Sequence, residues 1–210
     1  KSPQANTHDI LFLSNLFHRF PYASTCGQSR VDFIDEITNS QEDLMLAIKD
    51  AELTVCHKPY NMRFVDLYPE HYRRIEMAGG TGYQLLKSTH KGLKVKLIMT
   101  CRILLWDQIG TGTLECLTSE VPSMIYWKRI YSRESLWAKD LIARLEQNGI
   151  IHSSPETLTQ EIKRYLGDPE SWMNNSSRKQ AIKDFCQKFA LTDPRWFDKW
   201  KEFLSQSSMQ

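Results

Sequence analysis

Short, wholly apolar runs alternate along this chain with longer segments whose apolar residues recur at helical spacing. Residues 10–14 (ILFLS) are continuously apolar between polar flanks, the pattern of a strand buried on both faces. A loop over 21–30 leads into 31–50, where Phe33, Ile34, Ile37, Leu44, Leu46 and Ile48 form an interrupted helical stripe. Ser40 has N-cap chemistry with Asp43 three residues on, so the firmer helix is expected over 41–50. Residues 53–57 (LTVCH) read as a second buried strand, stopped by Lys58 and Pro59 because proline cannot continue a ladder. Strand, helix and strand in this order predict a right-handed βαβ unit.

Gly79, Gly80 and Gly82 punctuate the middle of the chain, and 83–93 reads as a short helix. Residues 94–106 divide near 100–102 into two pieces, with 103–106 the strand that delivers Asp107 to the sheet edge. The run Gly110-Thr111-Gly112-Thr113 then opens a helix through Leu114, Leu117 and Thr118, and 122–127 (PSMIYW) is a further strand. An amphipathic helix over 136–148 closes at Gly149 in the C′ position, and 150–152 forms a last short strand. Ser154, Pro155 and Glu156 start a helix to about residue 166, Asn175 or Ser176 starts another to about 190, and 194–204 makes a final aromatic one. Short apolar strands separated by helices describe an α/β fold built on a doubly wound parallel sheet.

Composition narrows the picture mainly by exclusion. With 210 residues and 41% hydrophobic content the chain can bury one good core. Its 27 Lys and Arg against 25 Asp and Glu are too balanced for the field that non-specific nucleic-acid binding needs, and no nucleic-acid partner is expected. Cys26, Cys56, Cys101, Cys116 and Cys186 are scattered singly, suggesting neither a disulfide framework nor a zinc site, and a reducing cytoplasm is the simplest home. No window approaches the roughly 20 apolar residues of a membrane span, so at most peripheral contact with a membrane is expected. The polar start (KSPQAN) reads as a cut made in a linker, with further sequence expected upstream.

Candidate chemistry concentrates after the strand at 103–106. Ligands of open parallel sheets sit outside the carboxyl ends of the strands. Gly110 and Gly112 remove side chains where a phosphate must approach the backbone, while Thr111 and Thr113 offer hydroxyls beside the free N–H groups of a helix start. Glu115, in the first turn, either accepts hydrogen bonds from ribose hydroxyls or merely caps the helix.

The segment Glu115-Cys-Leu-Thr-Ser-Glu-Val-Pro122 resembles the E-A-L-A-x-G-x-P segment of GT-B glycosyltransferases, with the Glu-to-Pro spacing kept and a Gly-x-Gly-Thr-type loop ahead of it. Together with the stretch from Leu145 through Gly149 and His152 to Glu156, and with Trp172, Phe185, Cys186 and Trp196 to Trp200, it is similar to a family of bacterial transferases of surface-carbohydrate (capsule or lipopolysaccharide) biosynthesis. Glu120 departs from the pattern, standing where many such sequences carry glycine. The resemblance implies the C-terminal, Rossmann-like half of a GT-B fold, in which the Glu contacts the donor ribose and the loop before it faces the phosphates. It implies a nucleotide-sugar donor as substrate rather than a cofactor, a glycan or lipid-linked acceptor, a partner N-terminal half, and a place in the cytoplasm or at the inner face of the bacterial membrane.

Other candidates are read from position. Lys58 and Arg63 follow a strand end and can meet a donor diphosphate or stay solvated. Arg19, Ser24, Thr25, Gly27 and Arg30 lie in the loop after the first strand, as a surface loop or a binding loop. Asp107 either binds donor hydroxyls or caps its own loop, and His152 either touches the nucleotide or is structural. No metal ligands are assigned, and no catalytic residue is identified. The expected organisation is a linker over 1–9, a donor-binding domain over 10–167, and helices over 168–210 that pack on it and on a partner half. Two rival functions share this layout: a nucleotide-sugar epimerase or polyol-phosphate transferase of the same fold, and a non-catalytic interaction module whose aromatic tail (Trp172, Phe185, Phe189, Trp196, Phe197, Trp200, Phe203) docks a partner.

Overall fold

The computed structural model describes residues 8–14, 34–87, 93–130, 133–190, 195, 198–199 and 201. In chain order these form β1 (His8–Ser14), α1 (Ile34–Asp50), β2 (Val55–Pro59), α2 (Arg63–Leu67), α3 (Pro69–Gly79), β3 (Tyr83–Leu85), α4 (Val95–Ile98), β4 (Cys101–Trp106), α5 (Thr111–Thr118), β5 (Ser123–Tyr126), α6 (Lys139–Gln147), β6 (Ile151–His152), α7 (Pro155–Gly167), α8 (Pro169–Asn174) and α9 (Ser176–Phe189). The six strands form one sheet in the order β3-β2-β1-β4-β5-β6, with every described pairing parallel. This is a Rossmann-like α/β arrangement. The strand order reverses between β1 and β4, and crevices at such reversals are where open sheets bind ligands.

β1 explains its own apolar run. It is central, and Ile10, Leu11 and Phe12 are wholly buried because helices cover both faces. Ile10 and Phe12 join Ile103 and Leu105 in the larger core with α1, α3 and α7, whereas Leu11, Leu13 and Leu104 form a smaller core with Cys116 of α5 and Leu97 of α4. On the second side α9 packs against both α5 and α6.

The far end of the sheet is tied down by a charged knot. Glu161 of α7 accepts hydrogen bonds from Trp172 Nε1 and Arg178 Nη2, both at 2.7 Å, and the guanidinium stacks 3.9 Å over the Trp172 ring. Arg178 also donates to the backbone oxygens of Asn148 and Trp172, so this buried charge pair is hydrogen-bonded on every side. Gly149 is required beside it: its φ is +72°, and a Cβ there would lie 2.9 Å from the Glu161 carboxylate.

Several expectations are corrected. α1 begins at Ile34, seven residues before the expected start at Gln41, so Ser40 is no cap but a buried residue inside the helix. Thr38, Ser40 and Gln41 share its inward side with Ile37 and Leu44, and their polarity hides the helical stripe from a reading of hydrophobic period alone. Residues 83–85 are a strand rather than the start of a helix, because Tyr83 and Leu85 pair with Val55 and His57 along the sheet edge. β2 runs on through Lys58 and Pro59, which align with Leu13 and Ser14 of β1. Helices α2, α3, α4 and α8 are additions to the expected list. The expected helix over 136–148 is a 3-10 turn at Leu136–Ala138 followed by α6. The candidate loop residues Arg19, Ser24, Thr25, Gly27 and Arg30 lie outside the described residues, as do Cys26, Trp196, Phe197, Trp200 and Phe203.

Candidate functional site

β4 leaves the sheet at Trp106 and passes through Asp107, Gln108, Ile109 and Gly110 before α5 starts at Thr111. The first-turn amides of a helix have no carbonyl one turn back, so Thr111, Gly112 and Thr113 present N–H groups at the carboxyl edge of the sheet beside the β1/β4 crevice.

The two glycines serve different purposes. Gly110 is extended, with φ at −146°, and a Cβ built there meets nothing within 4 Å, so this side of the loop is open. A Cβ on Gly112 would lie 2.7 Å from the tip of the Trp106 indole, so this glycine admits the ring beneath the helix. Thr113 is fully buried, accepting from the Gly110 amide at 3.3 Å and donating to the Gln108 carbonyl at 3.1 Å, so its hydroxyl closes the loop. Thr111 and Glu115 are exposed.

Lys58 lies on the same side of the sheet as this loop. Leu13 of β1 aligns with Lys58 on one flank and Trp106 on the other, so the two residues stand at one level about 10 Å apart, two strand spacings. Lys58 is only 5% exposed, and burial pulls its ammonium pKa below the ordinary lysine value. Among the described residues it has no ion pair. Arg63, at the start of α2, is exposed.

The opposite side of the crevice is a buried polar network. His57 bridges Ser14 and Tyr83, with its two ring nitrogens each 2.7 Å from a hydroxyl, as a neutral imidazole with one donor and one acceptor can. Burial, with the nearby His71, holds its pKa down to about 3. His71 is pulled down to about 4, chiefly by burial, and its Nδ1 lies 2.7 Å from the Thr38 hydroxyl, joining α3 to α1. Asp107 accepts a 3.1 Å hydrogen bond from Gln41 Nε2 of α1. Two buried polar atoms here, Gln41 Oε1 and the Tyr72 hydroxyl, have no hydrogen-bond partner, and on the α5 side neither has Trp106 Nε1. Buried polar groups without partners are rare in folded proteins, and each calls for an explanation such as a catalytic role or a bound water or ion.

The model of the LIC12162 family transferase matches residues 1–204. The chain belongs to the LIC12162 family of transferases. No curated protein matches it.

In this LIC12162 family transferase the structure brings Asp107, Gly110, Thr111, Gly112, Thr113 and Glu115 together on one loop and helix, with Lys58 across the same crevice. His152 stands apart, at the end of β6 with two strands between it and β1. Both its ring nitrogens are engaged within its own turn, Nε2 at 3.1 Å from the Gly149 carbonyl and Nδ1 at 3.2 Å from the Thr157 hydroxyl. A groove of about 320 Å³ between α5 and α9 opens near Pro122 and Ser123, at the opposite ends of the strands and away from this loop. Ser14, Gln41, Tyr72 and Tyr83 escaped sequence reasoning, and His57 entered it only as the head of the stretch that holds Lys58 and Arg63. Ser14 and His57 carried a usable signal, a polar residue closing an apolar strand, but Gln41 and Tyr72 join the site only through helix packing. Among the described residues no cluster of His, Cys, Asp or Glu is fit to hold a metal, and no helix is long and apolar enough to cross a membrane.

Proposed function

We propose that this transferase is the donor-binding half of a glycosyltransferase of the GT-B type, which moves a sugar from a nucleotide-activated donor to a bacterial surface glycan. One observation carries the reading: the start of α5 and the largely buried Lys58, which has no ion pair among the described residues, stand on one face of the sheet at its strand reversal. A fixed cation and helix-start N–H groups facing a single space suit a diphosphate. Glu115, exposed in the first turn of α5, is placed to accept from ribose hydroxyls, as the resemblance of its segment implies.

Chemically, an acceptor hydroxyl attacks the anomeric carbon, the bond to the donor phosphate breaks, and charge develops on the departing phosphate oxygen. Lys58 and the amides of Thr111 and Gly112 stabilise that charge without rearranging, the largest contribution a preorganised site can make. The acceptor and any general base come from a second, N-terminal half of the enzyme, and Arg63 adds charge at the rim. His152 is left out of this site, and Thr113 acts by closing the loop.

Calorimetric titration with UDP, GDP and CMP tests the proposal. Saturable binding of at least one nucleotide, weakened in Glu115→Ala, is expected. A folded protein that binds none of them, or binds one equally well without the carboxylate, overturns it.

A further inference from the structure

Gln41 offers more than a brace for Asp107. Its side-chain amide has a donor end and an acceptor end, and the Asp107 carboxylate decides which faces which way. Only the NH₂ group can donate to that carboxylate, 3.1 Å away, because the reverse orientation would set oxygen against oxygen. Oε1 is therefore held as an acceptor, and it is buried with no hydrogen-bond partner in a residue only 2% exposed.

Gln41 and Asp107 share the walls of a small cavity at the ends of β4 and β5, with Ser40, Tyr126 and Lys128. Its volume is about 20 Å³, room for one water-sized group. Ser40 Oγ and the Tyr126 hydroxyl, 3.4 Å apart, are both buried and make the wall polar. The cavity lies on the α1 side of the crevice, whereas Lys58 and the start of α5 lie on the other.

We infer that Gln41 is a specificity-determining residue of the donor site, whose Oε1, with the Asp107 carboxylate beside it, accepts a hydrogen bond from one hydroxyl of the transferred sugar seated in this cavity. The inference rests on the donor-binding reading above and adds to it the chemistry of the group selected. A buried acceptor without a partner demands a donor, and a space for one hydroxyl rejects a bulkier substituent. A site built to bond a hydroxyl discriminates strongly against analogues lacking it, because its own buried acceptor is then left bare.

The experiment compares free nucleotides with their sugar conjugates. Wild type and Gln41→Met are titrated with UDP, GDP and CMP, then with UDP-, GDP- and CMP-linked sugars, after circular dichroism and a melting curve establish folding. The expected result is an unchanged Kd for the free nucleotide and a rise of at least tenfold for the sugar conjugate. Equal losses for both ligands, or no loss for either, overturn the assignment while leaving the nucleotide site standing. A wild-type protein that binds no nucleotide removes the donor-binding reading and this inference with it. If Gln41→Met does not fold, Gln41→Asn, which keeps the amide but withdraws it from the cavity, is read by the same ratio.

Discussion

Replacing Lys58 with methionine should move stability and binding in opposite directions. Lys58 is 5% exposed, and no carboxylate among the described residues pairs with it. Burial lowers its folded-state pKa, so the unfolded chain holds the proton more tightly. While the ammonium stays charged, its burial is a penalty on folding. Stability rises only as pH climbs through the window between the lowered value and the ordinary lysine value. Replacing buried charges by apolar groups of similar volume commonly stabilises by about 1–4 kcal/mol. The low end suits a side chain at a strand end, so about 1 kcal/mol is expected, which for a chain of this size raises Tm by roughly 2–4 °C. On the proposed function, the same change also removes a charge-assisted hydrogen bond to phosphate worth about 1.5–3 kcal/mol, or roughly a 10- to 150-fold rise in nucleotide Kd. Thermal unfolding and calorimetry on the same sample decide the matter. A lower Tm with unchanged affinity would show that Lys58 is a structural residue and would refute the reasoning.

Other outcomes follow from the same geometry. Glu115→Ala should weaken nucleotide binding by about 1–3 kcal/mol and leave Tm unchanged, since the side chain is exposed; a fall in Tm with unaltered affinity would make it only a helix cap. Gly112→Ala should cost about 1–3 kcal/mol of stability in denaturant unfolding, because the new methyl group meets the Trp106 indole at 2.7 Å. Gly110→Ala, with open space around it, should stay within about 0.5 kcal/mol, and equal losses at the two glycines would contradict this account of the loop. His57 and His71 are held neutral in the fold, down to about 3 and about 4, so the unfolded chain takes up protons first on acidification. Stability is complete above the ordinary histidine value and falls by about 1.4 kcal/mol per pH unit for each histidine as pH drops toward 4. Melting curves from pH 7.5 to 4.5 should show one of these two contributions removed in His71→Gln, and an unchanged pH slope in that variant would count against it.

The sheet was readable because its strands are buried on both faces and therefore apolar throughout: residues 10–14 match the last five positions of β1, and 103–106 the last four of β4. Where caps use standard chemistry the boundaries were readable too, as at Ser154, whose hydroxyl accepts from the Thr157 amide, and at Asn175, which accepts from Arg178. The start of α1 was hidden for a physical reason that bears on function. Its inward face carries Thr38, Ser40 and Gln41 at positions a core would fill with apolar side chains, because Thr38 meets His71 of α3 while Ser40 and Gln41 meet Tyr126 and Asp107 at the ends of the strands. The edge strand β3 was hidden because three residues after Gly82 carry too little periodicity to separate strand from helix. Of the candidate site, the loop from Asp107 to Glu115 was legible in one continuous stretch. Its apposition to Lys58 depends on register through β1, and its apposition to Gln41 on helix packing, and neither is encoded in local spacing.

The central claim is that the start of α5 receives a phosphate. Amide chemical shifts followed by NMR during titration with UDP, GDP or CMP address it most directly. Saturable shifts largest at Gly110, Thr111 and Gly112, accompanied by Glu115 and by resonances near Lys58, are the predicted result. Saturable binding that leaves the Gly110 to Thr113 amides unmoved would place the nucleotide elsewhere and contradict the account.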